Sequence, residues 1–243
     1  MPAQPSSSRN RRFSGSALLD RRLQRAASRL IGLGLVTITA LAALVWQNSA
    51  QATDTVDRRV AAALYALPGS TVRLLFGAIT VAGEPAVVIV LTLIVAAWTW
   101  RRLHDRVLAA FCPIAVAAAS VVEEVLKTVV GRSRPATALL AHETSRSFPS
   151  GHATAGAALA TTLTLLILAT RPPRRRLLFA LLAAYSLAIS ASRLVLGVHF
   201  LTDVIAGSAI GVAVPIAVAL AVSGSQQRRE ADSDDATSPA ARR

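Results

Sequence analysis

Six stretches of this chain are apolar for long enough to cross a lipid bilayer, and they limit its fold more than any other feature. They cover about Leu30 to Trp46, Pro85 to Trp100, Val107 to Val130, Ala153 to Thr170, Leu177 to Leu196 and Val204 to Val222, against the roughly 17 to 25 residues that a spanning helix needs. All six are rich in Ala, Val, Leu and Ile, without the alternation of a lipid-facing strand, so each is expected to be a helix. Trp98 and Trp100 close the second run as interfacial aromatics. Between the first two runs lies Asp54 to Ala82, where Val56, Val60, Leu64 and Leu67 recur at helical spacing. That segment is expected to form a short amphipathic helix along the membrane interface. The predicted architecture is an all-α polytopic membrane protein with six transmembrane helices and this interfacial helix. Its predicted organisation is a disordered basic tail over 1–26, a membrane domain over 27–222 and a second disordered tail over 223–243.

The chain of 243 residues is 53% hydrophobic and 16% charged, too apolar for an ordinary soluble domain. Its net charge of +13 does not indicate nucleic-acid binding, because the basic residues sit between apolar runs and not on one face of a soluble module. Arginine sets the expected orientation. The segment before the first run, the connections after the second and fourth, and the C-terminal tail hold 18 arginines, against 7 on the alternate connections. The richer side is expected to be cytoplasmic, with both termini, which leaves the remaining connections outside the cell membrane. Ser49-Ala50-Gln51-Ala52 has the A-x-A spacing of a signal-peptidase site, but the preceding polar region and apolar run are both long for a signal peptide, so the run is read as retained. The single cysteine, Cys112, can form no internal disulfide and reads as a packing residue.

Four short segments beside the ends of these runs fall on the outer side. Lys127, the only lysine, stands near the end of the third run, four and three residues after Glu123 and Glu124, with which it can pair. Arg134 follows, and Pro135 restrains it to an extended backbone. A guanidinium fork together with a compact ammonium suits a polyanionic head group. Arg132 reads as a headgroup-facing surface charge. Pro149-Ser150-Gly151-His152 directly precedes the fourth run, where unsatisfied helix N–H groups attract an anion. Ser150 can add a hydroxyl or simply cap the helix, and Gly151 permits close approach of the backbone. Ser192-Arg193 closes the fifth run. His199 and Asp203, four apart at the start of the sixth, share one helix face, so the carboxylate can orient the ring of a histidine nucleophile. His104 and His142 have no such partners and read as solvated loop residues. Three cations near one site oppose a divalent metal and favour an anion. No metal or other cofactor is expected.

Lys127-x6-Arg134-Pro135, Pro149-Ser150-Gly151-His152 and Ser192-Arg193-x5-His199-x3-Asp203 resemble the three signature motifs of the type 2 phosphatidic acid phosphatase (PAP2) superfamily. The resemblance covers about Asp54 to Gly211. It implies a six-helix membrane core and metal-independent removal of phosphate through a phosphohistidine. Carried to the matching positions, it implies His199 as nucleophile, Asp203 as its partner and His152 as the acid that protonates the leaving oxygen. Lys127, Arg134, Ser150, Gly151 and Arg193 would hold the phosphate. The chain departs from the commonest pattern at Ser133, where many members have proline, and at Val195, where many have an aromatic residue. The expected partner is a lipid phosphate or diphosphate in the bilayer, with an isoprenoid diphosphate favoured by the outward site, and activity in the imidazole range, about pH 5 to 7. A lipid phosphotransferase, a vanadate-dependent haloperoxidase and a non-enzymatic carrier are the rival readings. The apolar runs weigh against the haloperoxidases, which are soluble.

Overall fold

A computed structural model describes residues 21–48, 55–141 and 145–237, and among them all regular structure is helical. The helices are α1 (Arg21–Asn48), α2 (Thr55–Leu64), α3 (Thr71–Val81), α4 (Pro85–Leu103), α5 (Arg106–Val130), α6 (Gly151–Thr170), α7 (Arg175–Val195) and α8 (Leu201–Thr237). A 3₁₀ helix, Ala136–Ala141, lies between α5 and α6. Five of these, α4 to α8, are long and apolar enough to cross a membrane by length and composition. The first expected span falls in α1, whose described apolar stretch is Ala26–Ala40. His142 and Ser49 to Ala52 lie outside the described residues. Helix α8 continues through Thr237, beyond the expected boundary at 222. The added stretch holds no proline, and Gln226 to Ala231 are mostly good helix formers.

The segment expected as one amphipathic helix is two. Between α2 and α3 the chain runs through Leu67-Pro68-Gly69-Ser70, where Pro68 lacks a backbone donor, Gly69 adopts φ +79° and Ser70 starts the next helix by accepting from Arg73 N at 3.3 Å. In α2, Val56 and Leu64 are exposed, whereas Val60 packs partly buried against Ala153, Leu194 and Val204 and the acidic Asp57 is buried against the protein. Polar bonding by Asp57 fixes the helix from the inside.

Helix α6 lies at the centre, with α5, α7 and α8 packed around it. Its contact with α8 depends on small residues. A Cβ at Gly207 would lie 2.5 Å from Ser150 O, and one at Gly211 would lie 2.5 Å from Thr154 O and 2.6 Å from Ala157 Cβ. The Gly207-xxx-Gly211 spacing thus lets α8 lie almost on the backbone of α6. Buried Ala115, Ala119, Ala155 and Ala158 continue this close packing, and buried Cys112 joins it with Sγ 3.4 Å from Thr162 Oγ1. Because α6 and α8 are joined so tightly, their N-termini are held side by side at one end of the bundle. The C-termini of α5 and α7 and the α3–α4 junction reach the same end. The arginine-rich connections after α4 and α6 lie at the other.

Candidate active site

Backbone bonds bring the motif segments together. Helix α5 ends at Gly131, whose φ of +64° turns the chain, and Gly131 N donates to Lys127 O at 3.0 Å. Ser147 N then donates to Arg132 O at 2.8 Å, which folds the connection after α5 back on itself. Ser150 N donates to Asp203 O at 3.0 Å, and Val198 N to Arg193 O at 3.1 Å. Three motifs distant in sequence are therefore linked before any side chain is considered.

His199 is 2% exposed, in the turn just before α8. Its Nε2 is 3.0 Å from Arg134 Nη1. A guanidinium only donates, so Nε2 must accept, and the proton of the neutral ring resides on Nδ1. Nδ1 is 3.5 Å from Asp203 Oδ2, an ion-pair separation longer than a good hydrogen bond. Burial pushes the His199 pKa down from its ordinary 6.5 to about 4, against an upward pull from Asp203, and Arg134 and Arg193 lower it further. The ring is thus neutral through the physiological range, with its lone pair on the nitrogen that faces the cations.

Asp203 is held from several sides. Oδ2 accepts from Ser147 Oγ at 2.5 Å and from Phe200 N at 2.9 Å, and Oδ1 accepts from Arg132 Nη1 at 2.5 Å. Arg132 is therefore not the surface charge expected from sequence. It is 7% exposed, packs 4.3 Å above the Phe200 ring, and gives its other amino group to Asp57 Oδ2 at 2.8 Å. Asp57 in turn accepts from Thr202 N at 3.0 Å and Thr202 Oγ1 at 2.6 Å, at the start of α8. The physical reason is pairing: two buried carboxylates make this one of the few buried places where a guanidinium is well satisfied. Asp57, Ser147 and Thr202 were not singled out from sequence. Asp57, followed directly by Arg58 and Arg59, carried no local signal of its pairing.

Beside this network lies a cavity of about 570 Å³ whose lining includes Lys127, Arg134, Gly151, His152 and His199, with apolar Val88, Ile89, Val116 and Val121. Lys127 Nζ pairs with Glu123 Oε1 at 2.5 Å, and a Cβ on Gly151 would come within 3.1 Å of that carboxylate and 3.4 Å of the ammonium. Glycine thus leaves the N-terminus of α6 open toward the pair. Arg134 is fixed by Ser145 O at 2.8 Å, Ser145 Oγ at 2.8 Å and Val198 O at 2.9 Å. Ser150 precedes α6 but does not cap it. Its Oγ is buried and has no hydrogen-bond partner among the described residues. Arg193, 3% exposed, donates to Thr80 Oγ1 of α3 at 2.8 Å. His152 Nε2 is 3.2 Å from Glu84 Oε1, at the entrance to α4. Ser150, Arg193 and Asp203 are not among the lining residues.

Residues 107–227 match the PAP2 superfamily, and this interval contains all eight residues singled out from the motifs. The chain belongs to the PAP2 superfamily. Within 91 residues this PAP2 chain is 34% identical to phosphatidylglycerophosphatase B of Bacillus subtilis (strain 168), a match that spans 36% of the chain and 45% of that relative's length. Its fold is similar to the crystal structure of the first transmembrane PAP2 type phosphatidylglycerolphosphate phosphatase from Bacillus subtilis. The TM-score is 0.69 at 23% identity, covering 82% of this chain and 96% of the other. It is also similar to Aquifex aeolicus LpxE, with a TM-score of 0.54 at 22% identity over 68% of this chain and 95% of that one. Asp57, Thr80 and Glu84 lie outside the matched interval.

Proposed function

We propose that this chain is an integral membrane phosphatase that releases phosphate from a lipid phosphate or diphosphate through a phosphohistidine. His199 Nε2 attacks phosphorus and forms the N–P bond as the bond from phosphorus to the leaving oxygen breaks, and that oxygen takes a proton from His152. Water then attacks phosphorus and gives a proton back to His152, the N–P bond breaks, and inorganic phosphate departs. The balance is one phosphate ester and one water to one alcohol and one phosphate; with a diphosphate, the leaving group is the lipid monophosphate. Lys127, Arg134 and Arg193 would stabilise charge on the equatorial oxygens, with Ser150, Gly151 and the α6 N-terminus as further donors.

The single observation that carries this reading is the protonation pattern of His199. A buried neutral imidazole with its proton toward a carboxylate, and its lone pair held by a cation in a cavity shared with a second histidine, is poised for attack on phosphorus. The apolar part of the lining suits a phosphate carried on a hydrocarbon chain. Purified full-length protein in detergent with EDTA, given an isoprenoid diphosphate, phosphatidate and phosphatidylglycerol phosphate, is expected to release inorganic phosphate from at least one of them. No release from any member of the panel, or release surviving in His199→Ala, overturns the proposal.

The proposed membrane arrangement has α1 as a sixth span, α2 and α3 at the outer interface, the site outside the cell membrane and both termini inside. The positions of Arg101, Arg102, Arg106, Arg171 and Arg174 to Arg176 at the opposite end support it. In a Cys112→Ala background, a membrane-impermeant thiol reagent on intact cells should label Ser133→Cys and spare Arg174→Cys. The reverse pattern inverts the topology.

A further inference from the structure

We propose that Glu84 is the positioning residue of the proton donor, the counterpart for His152 of what Asp203 is for His199. This rests on the phosphatase reading above. Glu84 occupies the N-cap position of α4, where an acidic side chain ordinarily accepts a hydrogen bond from the first turn, yet it makes none. Its Oε1 lies instead 3.2 Å from His152 Nε2.

The segment leading into Glu84 is anchored toward the site at two points. Thr80 Oγ1 accepts from Arg193 Nη1 at 2.8 Å, and Ala82 O accepts from Tyr185 OH at 2.8 Å. After them, directly before Glu84, Gly83 lies so close to α6 and α7 that a Cβ there would be 2.6 Å from Ile189 Cγ2 and 3.3 Å from His152 Cδ2. The α3–α4 junction is thereby pressed against the ring of His152, a fourth segment of the site beside the three motifs. Among the described residues, the other charged or titratable groups that line the cavity are Glu123, Glu124 and Lys127 on α5, Arg134 after it, and His199 before α8. Glu123 is engaged by Lys127, and Arg193 on α7 reaches the same junction through Thr80. Among the described residues, Glu84 is the carboxylate at ion-pair distance from His152.

A protonated imidazole donates from both nitrogens, so one N–H can face Glu84 while the other serves the leaving oxygen. Glu84 then fixes the ring and balances its charge without itself exchanging a proton. Its side chain is 48% exposed, against 0% for Asp203, so the effect of its loss is expected to be modest.

The test compares Glu84→Gln and Glu84→Asp with wild type on an alkyl phosphate and on a 4-nitrophenyl phosphate ester, whose leaving group departs without protonation. Glu84→Gln is expected to lower kcat about five- to tenfold on the alkyl ester and less than about twofold on the nitrophenyl ester, with KM changed less than about twofold. Glu84→Asp should recover most of the alkyl turnover. Adding Glu84→Gln to His152→Ala should cost nothing further on the alkyl ester. Equal losses on both esters, no loss on either, or a full additional loss in the His152→Ala background overturns the role of Glu84. An inactive wild type, or His152→Ala with equal losses on both esters, overturns the parent mechanism instead.

Discussion

Two histidines line one cavity and each meets a carboxylate, but the carboxylates are held in opposite ways. Asp203 is wholly buried, with Ser147, the Phe200 amide and Arg132 on its oxygens and His199 at 3.5 Å. Glu84 is half exposed, stands alone at the entrance to a helix, and meets His152 at 3.2 Å. The difference matches two tasks. A nucleophile needs one tautomer and a fixed lone pair, which a rigid, desolvated pair provides. A group that gives a proton and then takes one from water needs a partner that water can reach.

The strongest way to break the comparison is to remove each ring. In the proposed mechanism His199→Ala removes the nucleophile, and turnover is expected to fall at least about a thousandfold. His152→Ala removes acid catalysis and should cost at least about a hundredfold on an alkyl ester. After brief exposure to labelled substrate, acid quench and alkaline gel separation, His152→Ala should retain phosphoenzyme on the polypeptide and His199→Ala should retain none. Label on His199→Ala places the nucleophile elsewhere.

Next in size is the support behind the buried pair. Arg132→Leu leaves Asp57 and Asp203 as buried carboxylates without their shared cation, and a loss of about 3 to 5 kcal/mol in stability is expected. Glu84→Gln should leave the thermal midpoint in detergent within a degree or two of wild type, because its pair is half exposed. A midpoint for Arg132→Leu equal to that of Glu84→Gln removes the distinction between the two pairs. Gly211→Ala tests the same support from the helix side. Its Cβ would meet Thr154 O at 2.5 Å, so α8 must move away from α6 at a cost of about 1 to 3 kcal/mol. Since that movement carries Asp203 away from Ser150, turnover should fall with stability in this variant.

The residues proposed to carry phosphate chemistry stand out in sequence because they are rare types against an apolar background. Lys127, His152, His199 and Asp203 mark the ends of runs made almost wholly of Ala, Val, Leu and Ile. Five of the expected spans correspond to helices α4 to α8 for the same reason. Arg132, Asp57 and Glu84 were harder to read. Each acts through a partner more than 60 residues away, and no local period encodes such a pairing: Arg132 meets Asp57 across 75 positions, and Glu84 precedes His152 in a different helix. Arginine before a membrane helix is usually a surface charge, so local context pointed the wrong way for Arg132. The break between α2 and α3 was present in Pro68-Gly69-Ser70, but the recurrence of Val56, Val60, Leu64 and Leu67 is uninterrupted up to it and concealed the stop.

The smallest expected effect concerns which histidine limits activity in acid. Two ordinary imidazoles would place the acid fall-off near pH 6.5. With the His199 pKa pushed down to about 4 by burial, the unliganded enzyme keeps its nucleophile neutral well below that value, so the His199 limb of kcat/KM should have its midpoint near pH 4. Stability follows the same group. Between about pH 6.5 and 4 the unfolded chain binds a proton at this position that the folded chain does not, so stability is full above 6.5 and declines as pH falls through about 4. Carboxylates titrate in that range too, and the contribution of His199 is isolated as the difference between wild type and His199→Gln. Thermal midpoints of the two in detergent at pH 7.5, 5.5 and 4 should show the wild type losing more on acidification. Parallel curves would mean that the ring is not held neutral by burial, and the contrast between the two histidine pairs would then lie in geometry alone.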